Sequence, residues 1–199
     1  MKPLKYTLLF AVNLLFTNAT TSTPVKNAYT LSADYAITIN GTSNLHNWDE
    51  KVKTVTGQGI VNFIDETSFD LESINIKMDV HSIKSDMGSI MNNNTYKALK
   101  ADANPQIIFT LTTPIKSIQT KSAEKTISAK GNLTIAGVTK VVDMQVKISM
   151  PEHGKLIFEG FQTIQMTDYG IKPPVALFGT LKTGDAITIN FKTNFLINN

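Results

Sequence analysis

"AITINFKTNFLI" (Ala186–Ile197) decides the fold. Ile187, Ile189, Phe191, Phe195 and Ile197 fall on one side, with Thr193 in phase, and Thr188, Asn190, Lys192 and Asn194 fall on the other. A period of two belongs to a strand with one face buried and one face in water; a helix would scatter the same apolar residues around its axis.

Working outward, the pattern recurs. "YAITI" places Tyr35, Ile37 and Ile39 together; "INIKMDV" does so for Ile74, Ile76, Met78 and Val80; "VVDMQVKI" for Val142, Met144, Val146 and Ile148. Such one-sided alternation is typical of antiparallel sheet. "DETS" (65–68), "KSAEK" (121–125), "PEHGK" (151–155) and "KTGD" (182–185) are short and polar, and read as hairpin turns. Gly57 and Gly59 in "TGQG" read as a bend or bulge in a curving strand.

Residues 85–105, "SDMGSIMNNNTYKALKADANP", alternate poorly. Their second half, with Tyr96, Ala98 and Leu99, suits a short helix. Ser85 is placed to cap a first turn, and Pro105 disfavours helix at Asn104. The expected fold is therefore all-β: about eight antiparallel strands, closed into a lipocalin-like barrel so that no edge is left bare, with one short helix between strands. A barrel of this size is either filled by its own side chains or holds one small ligand.

The chain has 199 residues, 42% of them hydrophobic, enough for one domain with a substantial core. It contains no cysteine, so thiol catalysis, thiolate metal sites and disulfides are all excluded. "MKPLK", the apolar run Tyr6–Phe16 and the small residues Thr17 and Ala19 follow the order of a secretory signal. The apolar run is about half of the ~20 residues a membrane-spanning helix needs. We expect a signal over 1–19, a polar linker over 20–28, and the barrel over 29–198. No cysteine follows the apolar run to take a lipid anchor, so a periplasmic or secreted protein without a stable membrane span is expected.

Loss of Lys2 and Lys5 with the signal would lower the net charge from +3 to +1. All 19 basic residues are lysine, scattered along the chain. Without arginine, the usual forked reader of phosphate and guanine, a nucleic-acid partner is not expected.

Catalytic patterns are missing. His46, His81 and His153 have no metal-ligand spacing, so no metal is expected. No G-x-S-x-G, G-x-G-x-x-G or P-loop occurs, and no cofactor is expected. The pairs Asp49–Glu50 and Asp65–Glu66 lie beside turns and read as solvated. No catalytic residue is assigned.

What remains is an apolar inward face without an obvious charge. By strand parity its lining comprises Ile37, Ile39 and Trp48; Phe63, Ile76 and Met78; Phe109, Leu133 and Ile135; and Met144, Val146, Phe158, Ile189 and Phe191. Trp48 is open to two readings, wall packing or ligand contact.

Several of these stretches resemble the YceI-like family, the lipid- or polyisoprenoid-binding barrels of bacterial periplasms. "GTSNLHNW", "YKALKADANPQIIFTL", "GNLTIAGVTKVVDMQVKI" and "MTDYGIKPPVALFGTLKTGDAITINF" match its segments in the family's order and span nearly all of 29–197. The resemblance implies a lipocalin-like barrel around a long hydrophobic tunnel for an isoprenoid, quinone-like or fatty chain, and carries over no catalytic residue.

Three functions stand at this point. The first is a carrier or store for such a chain. The second is a periplasmic stress or interaction protein with a filled barrel and no ligand. The third is a lipid-modifying enzyme using His46 or His81 with Asp49 or Asp79. No sequence feature specifies an oligomeric state.

Overall fold

The computed structural model describes residues 25–119 and 124–198. The expected signal, and the expected linker up to residue 24, lie outside the described residues. In chain order the elements are β1 (Val25–Ser43), β2 (Asn47–Val52), β3 (Val55–Phe63), β4 (Ser68–Asp79), β5 (Ile83–Lys84), α1 (Ser89–Leu99), β6 (Gln106–Leu111), β7 (Ile115–Gln119), β8 (Lys125–Ile135), β9 (Val138–Glu152), β10 (Lys155–Gln165), β11 (Val175–Ala176) and β12 (Leu181–Ile197).

Eight of the strands close a barrel in the order β1, β3, β4, β6, β8, β9, β10, β12 and back to β1. The seam joins the first strand to the last, from Tyr29 opposite Ile197 to Gly41 opposite Ile187. All pairings are antiparallel. The other strands extend this frame: β7 continues on the edge of β4 beyond β6, and β2 pairs with the second half of β1. The alternation survives intact on β8, where Ile127, Ala129, Leu133 and Ile135 are buried while Thr126, Ser128 and Lys130 are exposed. An apolar inside and polar outside is the inverse of an outer-membrane barrel, whose lipid-facing band is apolar.

β1 is long because it serves two partners. Val25–Thr30 pair with β3, and Thr38–Thr42 pair with β2. Between them Ser32, Ala33 and Asp34 bulge out of register with β12. The Asn194 side chain fastens the bulge by donating to the Asp34 carbonyl at 2.8 Å. The Tyr35 hydroxyl then bridges the gap that opens between β2 and β3, donating to the Lys53 carbonyl at 2.8 Å and accepting from Val55 N–H at 3.1 Å.

Four expectations are corrected in detail. Residues 25–28 are strand rather than linker, because their backbone is taken up by β3. "KTGD" (182–185) is no turn: it lies inside β12, where the register slips between Gly41 and Ser43. A side chain on Gly184 would collide with Thr42 Oγ1, so the glycine marks a bulge. Ser85 does not cap α1, whose first flanking residue is Gly88; its hydroxyl donates to the Asp49 carbonyl instead. Pro105 does not stop α1 either. The helix ends at left-handed Lys100 (φ 53°), with Ala101 N–H bonded back to the Tyr96 carbonyl.

The inward glycines have a shared role. Trp48 lies flat over its cross-strand partner Gly41, where an added Cβ would sit 2.1 Å from Cζ2. Phe109 covers Gly131 in the same way, at 2.4 Å from Cε2, and Phe191 covers Gly160, at 2.9 Å from Cζ. Gly57 receives the edge of Phe195 at 3.0 Å. Each glycine lets a ring lie against the wall instead of across the barrel.

Candidate functional site: an apolar hollow in two chambers

The barrel is packed solid at one end. Tyr29, Val61, Phe69, Ile148 and Leu156 are 0–1% exposed and fill the end reached by the β3–β4 and β9–β10 turns. Those turns are tight. Asp65 accepts from Thr67 N–H at 2.7 Å and from the Ser68 hydroxyl at 2.7 Å, bonds that push its pKa down to about 2.

Beyond this plug lies an inner chamber of about 90 Å³. Nine of the expected lining residues surround it: Ile37, Ile76, Met78, Phe109, Leu133, Met144, Val146, Phe158 and Phe191. Ile189 separates it from an outer chamber of about 100 Å³ and lines both. Ile39, Trp48 and Ile135 line the outer chamber. One face of α1 covers it with Met91, Thr95, Ala98 and Leu99, and Pro174 and Val175 close the other side. Val175 is 59% exposed, so this end of the hollow reaches the surface.

Phe63 is the expected lining residue that touches neither chamber. Its parity is right, but it sits at the plugged end, with its ring centroid 5.8 Å from that of Phe69 and 5.4 Å from that of His153. Parity says which face a side chain takes and nothing about its height along the axis.

The sequence reading missed several wall residues. Leu71, Ile74, Leu111, Ile127 and Ala129 line the inner chamber; the last four are in phase with assigned residues, whereas Leu71 is out of phase with Ile76 and Met78 and is turned inward by the bulge at Glu72. More consequential is Glu50, read as solvated. It is 2% exposed and lines the outer chamber. Trp48, Glu50 and Val52 alternate inward along β2, a signal visible in "NWDEKV" once that stretch is taken as strand. Thr95 on α1 donates to Glu50 Oε1 at 2.7 Å. Burial is the main reason that the Glu50 pKa rises to about 7; the Thr95 bond opposes the rise and Asp49 adds to it.

The "GTSNLHNW" stretch is wall and turn. Trp48 Nε1 donates to the Thr42 carbonyl at 3.1 Å, and the Ser43 hydroxyl closes the turn by donating to the His46 carbonyl at 2.8 Å. His46, His81 and His153 are all exposed and lie on separate turns. His81 leans on Tyr96 at 5.2 Å between ring centroids, and its Nε2 is 3.5 Å from Asp102. Neither His46 nor His81 lines a chamber. Among the described residues no cluster of three or more His, Asp or Glu side chains is placed to hold a metal ion. No helix among them is long and apolar enough to cross a membrane.

A closed eight-stranded barrel with an apolar-walled hollow between a plug and a helix has counterparts among known proteins. The sequence profile of the YceI-like domain matches residues 33–195. The chain belongs to the YceI-like family. Proteins of known structure share its shape at low identity. A polyisoprenoid binding domain from Saccharophagus degradans, implicated in plant cell wall breakdown, superposes with a TM-score of 0.68 at 12% identity, over 86% of this chain and 99% of that one. Burkholderia cenocepacia BcnA gives 0.60 at 18% identity, covering 81% and 96%. The Campylobacter jejuni YceI protein gives 0.56 at 18% identity, covering 75% and 84%. Among curated proteins no sequence match is found.

Proposed function

We propose that this YceI-like protein binds an isoprenoid or other lipid-like chain in the barrel and acts as an exported, non-enzymatic carrier or store. The observation that carries this reading is the pair of apolar chambers inside an otherwise close-packed barrel. The polyisoprenoid binding domain of like fold supports it, and the signal-like N-terminus supports export to the periplasm or medium.

The energetics are sufficient. About ten buried methylene groups at ~0.8 kcal/mol each are worth roughly 8 kcal/mol before ordering costs, the scale of micromolar binding. Each chamber is smaller than the ~150 Å³ apolar cavity that takes up benzene. A long chain therefore enters by displacing flexible wall residues. Met78 and Met144 both line the inner chamber and are suited to that, since an unbranched thioether repacks at low cost.

The test is mass spectrometry of an organic extract of the purified protein. A long-chain lipid near one per protein is the expected result. Protein that is lipid-free, and that takes up no added farnesol or palmitate, refutes the carrier reading and leaves the filled-barrel interaction protein.

A further inference from the structure

We propose that the outer chamber holds the uncharged hydroxyl head of its lipid on the Glu50–Thr95 pair, with the chain running inward past Ile189. The proposal rests on the reading that the barrel takes an oily chain, and adds which end goes where and which head is accepted.

Glu50 is the place where the wall is unfinished. Its carboxyl is almost fully buried, yet among the described residues Thr95 is the one protein donor that reaches it, and that bond goes to Oε1. Glu50 lines the outer chamber and Oε2 takes no bond from Thr95, so this oxygen is the one that can pair with a ligand group. The inner chamber has no equivalent. Of its two polar side chains, Thr193 already donates to the Phe158 carbonyl at 3.4 Å, and Gln162 donates to the Thr163 carbonyl at 2.9 Å. The polar end of a chain therefore belongs in the outer chamber and the tail in the inner one.

The protonation chemistry selects the head. Oε2 accepts a hydrogen bond when the carboxyl is ionised and can donate one when it is neutral. A hydroxyl does both, so it matches Glu50 in either state. A phosphate or carboxylate matches only the neutral form and repels the ionised one across a short, poorly screened gap. No lysine is among the residues that line the outer chamber itself. Asp49, next along β2, adds negative charge. Lys51 is held by Asp86 at 2.9 Å, and Lys84 on β5 bonds the Tyr96 hydroxyl. Lys97 of α1, Lys100 just beyond it and Lys172 line a surface recess that adjoins the outer chamber through Asn94, Ala98, Pro174 and Val175 but does not include Glu50. Asp185 on β12 accepts from Thr167 N–H at 2.9 Å, and the residue of β1 opposite Glu50 is Ile39.

The experiment measures binding of farnesol, farnesyl phosphate and headless 2,6,10-trimethyldodecane to delipidated protein, by calorimetry at pH 6 and pH 8. Wild type should bind farnesol equally at both pH values, and at pH 8 should bind farnesyl phosphate about tenfold or more weakly than farnesol, as loss of a charge-matched hydrogen bond predicts. Glu50→Gln removes the charge at near-constant shape and should bring the two affinities within about threefold at pH 8. Thr95→Val, which leaves the carboxylate in place, should keep the discrimination against phosphate. A single cooperative melting transition for each shows that both variants fold. Farnesyl phosphate bound as well as farnesol at pH 8, with no effect of Glu50→Gln, overturns the proposal and moves the head to the lysine recess. If trimethyldodecane binds as tightly as farnesol, the head assignment fails while the carrier reading survives. If none of the three binds, the carrier reading fails and this inference with it.

Discussion

Replacing Glu50 by Gln should change how stability depends on pH, and the size follows from burial. In the folded protein burial holds the proton on Glu50 up to about pH 7, against an ordinary value of 4.5. Between those limits the folded state binds a proton that the unfolded chain has released. Stability therefore falls as pH rises through this window, is unaffected by Glu50 below it and is level above it. At ~1.36 kcal/mol per pH unit the full effect is roughly 3 kcal/mol. Glutamine keeps the acceptor for Thr95 and has no charge to desolvate. Urea unfolding of wild type and Glu50→Gln at pH 5 and pH 8 isolates the effect, since the other titrating groups are common to both. The variant should gain roughly 3 kcal/mol on wild type between the two pH values, or about 6–12 °C in melting temperature for a domain of this size. Parallel profiles would mean that Glu50 is hydrated in the native protein, and would remove the physical basis of the outer-chamber site.

Other outcomes follow from the same geometry. Ala129→Leu places three further carbons in the inner chamber and should abolish uptake of a long chain while lowering stability by about 1–3 kcal/mol, as read by unfolding and extraction. Gly131→Ala would put a methyl 2.4 Å from the Phe109 ring and 2.7 Å from the Thr110 carbonyl oxygen. The ring must swing into the hollow, at a cost of about 1–3 kcal/mol, and lipid capacity should drop with stability. Lys100→Gly relieves a left-handed residue at the end of α1 and should stabilise by about 0.5–1 kcal/mol in thermal melting, with binding unchanged. Trp48 is the sole tryptophan and lines the outer chamber; farnesol should alter its emission, and an unchanged spectrum at proven saturation would place the ligand elsewhere.

The sequence was most legible where burial is one-sided and strands are regular. Val142, Met144, Val146 and Ile148 are all buried on β9 as their alternation predicts. It was misleading where hydrogen bonds between distant segments decide. "KTGD" has the composition of a turn, but β1 pairs with β12 at Thr183 within it and at Ile187 beyond it, and carries the strand through as a bulge. Phe63 had the right face and the wrong height, because the axial position of a strand is set by register with partners far away in sequence. Glu50 was lost through its neighbour: two adjacent carboxylates read as solvated, although strand geometry sends Asp49 outward and Glu50 inward. No local signal marks Thr95, which arrives from a helix 45 residues away along the chain.

The glycine–ring pairs along the wall make the calibre of this barrel a property of a few positions. Exchanging one glycine for a larger residue, with a smaller partner in place of its ring, would widen or narrow the passage at one level and leave strand number and register untouched. A lineage of such proteins can thus change the width of guest its barrel would admit through paired substitutions two strands wide, without ever rebuilding the cylinder.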